Sequence, residues 1–152
     1  MNDPAARLRE AIERLNILGI VRRVSSFYET EPMEFTDQPW FVNGAVELCT
    51  AFEAKPLVQE LLSIEREMGR VRTRSKGPRI IDIDLLLFND EVIDEPEVQV
   101  PHPAMQQRRF VLAPLAEIAP DAMHPRLHKT ALELLNALGQ TGRAVHRLDI
   151  PA

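Results

Sequence analysis

The sequence predicts an α+β domain built on an antiparallel sheet. Three observations lead there. Two extended runs, Ile20 to Tyr28 and Phe41 to Phe52, follow one another with no helical pattern between them. Helical periodicity precedes the first run and follows the second, so helices and strands interleave. A third extended run ends in Ile80-Ile81-Asp82-Ile83-Asp84-Leu85-Leu86-Leu87-Phe88, with the alternation of a strand. The 152 residues, 45% of them hydrophobic, suit one compact domain over residues 1–152 and exclude a disordered chain.

Each element has a local reason. Asp3-Pro4 reads as an N-cap followed by proline at the first helical position. Leu8, Ala11, Ile12, Leu15 and Leu18 then recur at helical spacing, and Gly19 offers a stop. In the first extended run Val24, Ser26 and Tyr28 share a face. Glu29 to Pro39 is a loop containing Pro32 and Pro39. In the second run Phe41, Asn43, Ala45, Glu47 and Cys49 oppose Val42, Gly44, Val46 and Leu48. Lys55 to Met68 is a helix through Leu57, Leu61 and Ile64, closed by Gly69. Arg70 to Gly77 is a basic loop leading into the third run. Asn89-Asp90 is a turn into a hairpin ending at Val98 to Pro101. Arg108 to Ile118 is a helix interrupted in regularity by Pro114. Thr130 and Glu133 form a capping box that opens a last helix through Leu138, with Gly139 as its stop.

Composition narrows the function. A net charge of −5 argues against general nucleic-acid or anionic-membrane binding. No apolar run approaches the roughly 20 residues of a membrane span. The opening Met1-Asn2-Asp3-Pro4 carries no signal-peptide pattern, and cytoplasm is the default compartment. Cys49 is the only cysteine and is predicted to pack in an apolar stretch. His124 and His128 are predicted to be surface residues, since Pro125 disfavours a helical metal pair.

The chemistry concentrates at Asp82 and Asp84. On a strand they project side by side while Ile81 and Ile83 face the other way. An isolated Asp-x-Asp usually marks a solvated strand end, but here apolar sequence surrounds it. Two adjacent carboxylates call for a cation, and Mg²⁺ suits carboxylates that leave room for water and phosphate oxygens. Arg70, Arg72, Arg74, Lys76 and Arg79 place five positive charges in ten residues just upstream. The chain has six glycines and no glycine-rich phosphate loop, so any polyphosphate is held by side chains and metal. Pro101 and Pro103 fix the backbone around His102.

The run Gly77-Pro78-Arg79-x-x-Asp82-Ile83-Asp84-Leu85-Leu86 resembles the signature of the 6-hydroxymethyl-7,8-dihydropterin pyrophosphokinases of folate synthesis. Further ordered segments resemble the same family. They are Ser25-Ser26-Phe27-Tyr28-x-Thr30, Gln38-Pro39-x-Phe41-Val42-Asn43, Ile64-Glu65-x-x-Met68-Gly69-Arg70-Val71-Arg72, Val100-Pro101-His102-Pro103 and Phe110 to Pro120. The resemblance implies transfer of pyrophosphate from ATP to a reduced pterin, with release of AMP. It implies that Asp82 and Asp84 hold two Mg²⁺ ions. Arg70, Arg72 and Arg79 match basic positions of the phosphate region, and His102 and Arg108 match phosphate contacts. Glu65 matches a nucleotide-site position. Asn43 and Thr30 match pterin contacts, and Phe41 and Phe110 the aromatic walls of the pterin site.

The implied fold is a ferredoxin-like core, an antiparallel sheet flanked by helices. Family chains begin with a strand ending in Gly-Ser-Asn-Leu-Gly, whereas this sequence opens in the first helix. The first, central strand is therefore expected to be missing, leaving two strand edges unpaired. Lys76 stands where relatives often carry tryptophan. A non-catalytic remnant acting as a binding module is the alternative function.

Overall fold

The structure is a computed structural model that describes residues 3–30, 41–72, 81–139 and 145–148, with residues 70–72 in backbone only. Helix α1 spans Pro4–Leu15. The Asp3 carboxylate accepts hydrogen bonds from the backbone N–H of Ala5 at 3.1 Å and of Ala6 at 3.4 Å. Two donors that the helix start leaves unpaired are thereby satisfied.

Each of the two long extended runs breaks near its middle. The first becomes β1 (Gly19–Val24) and β2 (Tyr28–Thr30), the second β3 (Phe41–Asn43) and β4 (Val46–Thr50). β1 pairs antiparallel with β4, Gly19 opposite Thr50. β2 pairs antiparallel with β3, Tyr28 opposite Asn43. The hairpin thus passes from one sheet to another. At the crossing, Ser25 N–H donates to the Ala45 carbonyl at 2.9 Å. Ser25 Oγ accepts from Ala45 N–H at 2.8 Å and donates to the Ser26 carbonyl at 2.6 Å. Phe27 is fully buried there, and a Cβ on Gly44 would sit 3.2 Å from its ring. These bonds let the backbone change sheets without stranding buried polar groups.

Helix α2 runs Ala54–Arg72, past the stop predicted at Gly69. Gly69 keeps a negative φ and no proline follows it, so nothing forces the left-handed turn that ends a helix. Arg70 and Arg72 therefore belong to the helix, not to the predicted loop. Leu57, Leu61, Ile64 and Met68 are buried at helical spacing, with Ala11 and Leu15 of α1 and with Ile81.

Residues 81–88 are extended but form no ladder among the described residues, which corrects the predicted sheet strand. Their alternation holds over 81–85. Ile81 is buried and Ile83 and Leu85 pack against the α1–α2 core, while Asp82 and Asp84 are exposed. The reason for the missing ladder is spatial. β4 pairs with β1 alone among the described residues. A cavity of about 580 Å³ is lined by residues 44–50 on one side and 81–89 on the other.

The extended run ends at Asn89, whose φ is 52°. The predicted turn at Asn89-Asp90 is present, with Glu91 N–H donating to the Phe88 carbonyl at 3.0 Å, and it leads into the hairpin of β5 (Ile93–Asp94) and β6 (Gln99–Val100). The hairpin itself turns at Glu95–Val98, where the two backbones bond reciprocally at 3.0 and 3.2 Å around Pro96. Proline presets φ for the second position of such a turn. The Val100–Pro101 peptide is cis. Helix α3 (Arg109–Ile118) continues through Pro114.

A short hairpin that the sequence reading did not anticipate follows, β7 (Met123–His124) and β8 (Lys129–Thr130). It overturns the surface placement of His124, which is 4% exposed. The His124 ring is a local acceptor: Nδ1 receives N–H groups from Arg126 at 3.2 Å and Leu127 at 3.1 Å. His128 is exposed, as expected. Helix α4 (Ala131–Leu138) opens with the predicted capping box, at 3.1 and 2.8 Å, and stops at Gly139 with φ 60°. Leu112 and Leu115 of α3 and Leu134 of α4 form a second core with Met105, and Leu86 and Leu87 pack on it. Last, β9 (Val145–Arg147), also unanticipated, pairs antiparallel with β2.

Cys49 is exposed, not packed. It lies opposite Ile20 on the outward face of β1–β4, where strand alternation puts it with Glu47. No helix among the described residues is long and apolar enough to cross a membrane.

Candidate active site

Asp82 and Asp84 sit on a segment held between two cores. Ile81, Ile83 and Leu85 anchor one face on α1 and α2, and Leu86 and Leu87 anchor its end on α3 and α4. Both carboxylates line the cavity of about 580 Å³ beside β4. Side chains two residues apart on extended backbone point the same way, so the pair forms one acidic edge.

Two contacts tie other predicted residues to this segment. His102 N–H donates to the Leu86 carbonyl at 2.9 Å. Its ring is fixed as well, because Nδ1 accepts the Ala104 N–H at 3.1 Å. Glu65 reaches the segment from α2: Oε2 accepts the backbone N–H of Ile83 at 2.5 Å. Ile83 is the residue between the two aspartates.

The other predicted residues form two further groups. Thr30 and Asn43 meet across β2 and β3, with Asn43 Nδ2 donating to Thr30 Oγ1 at 3.4 Å. Thr30 is almost fully buried, whereas Phe41 next to it on β3 is 49% exposed. Arg108 and Phe110 flank the start of α3, the guanidinium carbon lying 5.8 Å from the ring centroid. Thr30, Phe41, Asn43, His102, Arg108 and Phe110 all lie outside the lining of the cavity beside the aspartates. Arg74, Lys76, Gly77, Pro78 and Arg79, and the Gln38-Pro39 segment, lie outside the described residues. So do the side chains of Arg70 and Arg72.

A fourth cluster escaped the sequence reading. Glu117 of α3 accepts from Ser26 N–H at 3.1 and 3.0 Å, from Ser26 Oγ at 3.0 Å and from Tyr28 Oη at 2.7 Å. Burial acts to raise the Glu117 pKa. The bonds from Tyr28 and Ser26, with the Arg147 charge, outweigh it and hold the carboxyl below its usual range. Burial first, and Glu117 second, push the Tyr28 hydroxyl up to about 12. The available signal was the i, i+2 spacing of Ser26 and Tyr28, which puts both on one face; their partner is 91 and 89 residues away.

Known proteins resemble this chain over most of its length. The family model for 7,8-dihydro-6-hydroxymethylpterin-pyrophosphokinase (HPPK) matches residues 1–120. The folic acid synthesis protein fol1 of Schizosaccharomyces pombe is 41% identical over 93% of this chain and 20% of its own length. This chain thus spans about a fifth of that relative. The 2-amino-4-hydroxy-6-hydroxymethyldihydropteridine pyrophosphokinase of Synechocystis sp. is 41% identical over 88% of this chain and 69% of its own length. The protein of the same name from Bacillus subtilis is 45% identical over 78% of this chain and 72% of its own length. A match over most of the chain, with relatives 41–45% identical, places it: the chain belongs to the 7,8-dihydro-6-hydroxymethylpterin-pyrophosphokinase family.

Proposed function

We propose that this chain transfers the terminal pyrophosphoryl group of ATP to the hydroxymethyl group of 6-hydroxymethyl-7,8-dihydropterin in folate synthesis. The pterin hydroxyl oxygen forms a bond to the β-phosphorus and loses its proton. The bond from that phosphorus to the α-phosphate oxygen breaks, and AMP leaves. The observation that carries the reading is the acidic edge of Asp82 and Asp84, held on a segment wedged between two cores.

The donor set fits Mg²⁺. Both aspartates are exposed, and no group of three or more His, Cys, Asp or Glu comes together among the described residues. A cation held here draws its remaining ligands from water and phosphate oxygens, which suits a small hard ion. Asp82 and Asp84 would hold two such ions. Bound there, Mg²⁺ supplies neutralisation of the charge that develops on the phosphates.

The chain's other residues position and bind. Asn43 and Thr30, paired across β2 and β3, offer polar contacts to the edge of the pterin, with Phe41 and Phe110 as its walls. Arg70, Arg72, Arg79, His102 and Arg108 clamp phosphate oxygens, and arginine's planar fork suits bidentate contact. Glu65 serves the nucleotide side of the site.

The cavity beside β4 fits a ferredoxin-like core. An extra strand between residues 46–50 and 81–88 would pair with both edges and bury its side chains against α1 and α2. A cytoplasmic location fits an ATP-dependent enzyme with a single free cysteine.

AMP formation in the presence of ATP and the reduced pterin tests the reading and separates it from a binding module. Asp84→Ala should lower turnover by at least ~10²-fold, with an unchanged circular-dichroism spectrum. Near-wild-type turnover in that variant would falsify the metal assignment.

A further inference from the structure

Glu65 has a partner that its place in the family's motif does not imply. Its carboxylate accepts the Ile83 N–H at 2.5 Å, across 18 residues of chain. Ile83 belongs to a segment with no ladder among the described residues, and Glu65 is the acceptor that its amide meets there. An ionised carboxylate is a strong acceptor for such a group. The helix behind it is rigidly placed: Leu61, Ile64 and Met68 of α2 are buried in the same core as Ile81.

The geometry has a consequence for the aspartates on either side. The peptide unit joining Asp82 to Ile83 is planar. A hydrogen bond to its N–H fixes the orientation of that plane. The plane's orientation restrains ψ of Asp82 and φ of Ile83, two of the four backbone angles that determine how the Cα–Cβ directions of Asp82 and Asp84 lie relative to each other. Carboxylates that share a cation need a defined spacing, and a supporting residue outside the ligand set usually provides it.

We infer that Glu65 is a positioning residue for the Asp82–Asp84 pair, acting through the Ile83 amide. The inference rests on the reading of the two aspartates as metal ligands. It differs from a nucleotide contact by Glu65 in what it predicts. A positioning role acts on cation affinity and turnover and survives replacement by another acceptor. A nucleotide contact acts on the KM for ATP.

The test uses Glu65→Ala, Glu65→Gln and Asp84→Ala in the full chain. Three quantities are read. One is hydrogen exchange at the Ile83 amide in metal-free protein. Another is Mn²⁺ affinity by electron paramagnetic resonance with a non-hydrolysable ATP analogue. The third is kcat separated from the KM for ATP. Glu65→Ala should speed Ile83 exchange about 10-fold or more and weaken Mn²⁺ binding about 10–100-fold. Its kcat should fall while KM for ATP changes little. Glu65→Gln keeps an acceptor oxygen and should restore most of each loss. Wild-type Mn²⁺ affinity or Ile83 exchange in Glu65→Ala, beside weakened Mn²⁺ binding in Asp84→Ala, overturns the inference alone. A raised KM for ATP in both Glu65 variants, with Mn²⁺ affinity unchanged, also overturns it. Wild-type Mn²⁺ binding by Asp84→Ala overturns the metal reading and the inference with it. Should Glu65→Ala fail to fold, Glu65→Asp, which withdraws the carboxylate by one methylene, carries the same readouts.

Discussion

Glu117 gathers three donors from two residues of a distant segment, Ser26 and Tyr28, and its protonation state controls whether they stay. Its lowered pKa means the folded chain favours the carboxylate. That contribution is complete above the ordinary carboxylate range and is lost as pH falls through the lowered value. Tyr28 behaves oppositely. Its hydroxyl is raised from 10.0 to about 12, so the neutral form is favoured on folding. Stability from it is complete below pH 10 and lost as pH rises toward 12. Tyr28→Phe should cost about 1 kcal/mol at neutral pH and flatten the melting temperature between pH 10 and 12; calorimetry across that window checks both. His124 adds a third titration. Burial first, then the charge of Arg126, lower its pKa from 6.5. Its contribution is complete above that value and fades as pH falls through the lowered one. Protonated Nδ1 can no longer accept. Amide exchange at Arg126 and Leu127 should therefore accelerate in mildly acidic solution, and unchanged exchange there would argue against the acceptor role.

Elements in this chain start by local rules and break by distant ones. Asp3 and Thr130 cap α1 and α4 from within two or three residues, and both were legible as sequence patterns. Thr130→Ala should cost about 1 kcal/mol in urea unfolding, through loss of the cap. The breaks at Ser25 and Ala45 had no comparable signature, because each exists by virtue of the other across 20 residues. Removing the Ser25 hydroxyl leaves the buried Ala45 N–H without that acceptor, and Ser25→Ala should cost roughly 1–3 kcal/mol. Gly19 illustrates the same dependence. A Cβ there would overlap the Cys49 carbonyl oxygen of the paired strand. Gly19→Ala should therefore loosen the β1–β4 ladder, seen as faster amide exchange along Val46–Thr50 and little change in α4. Gly69 shows the converse: a glycine is a helix stop only when the chain around it turns, and here α2 continues.

At the scale of the molecule, two cores meet along one extended segment, and a cavity of about 580 Å³ beside that segment departs from close packing. A synthetic peptide with the alternating apolar pattern of a strand should fill it. The expected result is a higher unfolding midpoint and slower amide exchange in both 46–50 and 81–88. Unchanged exchange in those two runs would rule out pairing at this place. The sequence by itself determined the helix starts, the opposed faces of Ile81–Ile83 and Asp82–Asp84, and the resemblance that led to the family. The first two follow from backbone period and from hydrogen bonds between near neighbours, which a linear string records; the resemblance rests on the order of several motifs. Only the tertiary structure decided where the strands break, that His124 is buried and Cys49 exposed, and that Glu65 holds the amide between the two aspartates. The links behind the strand breaks and the Glu65 bond join residues 18 or 20 positions apart. Their partners are chosen by how helices and strands pack, and no local pattern encodes that choice.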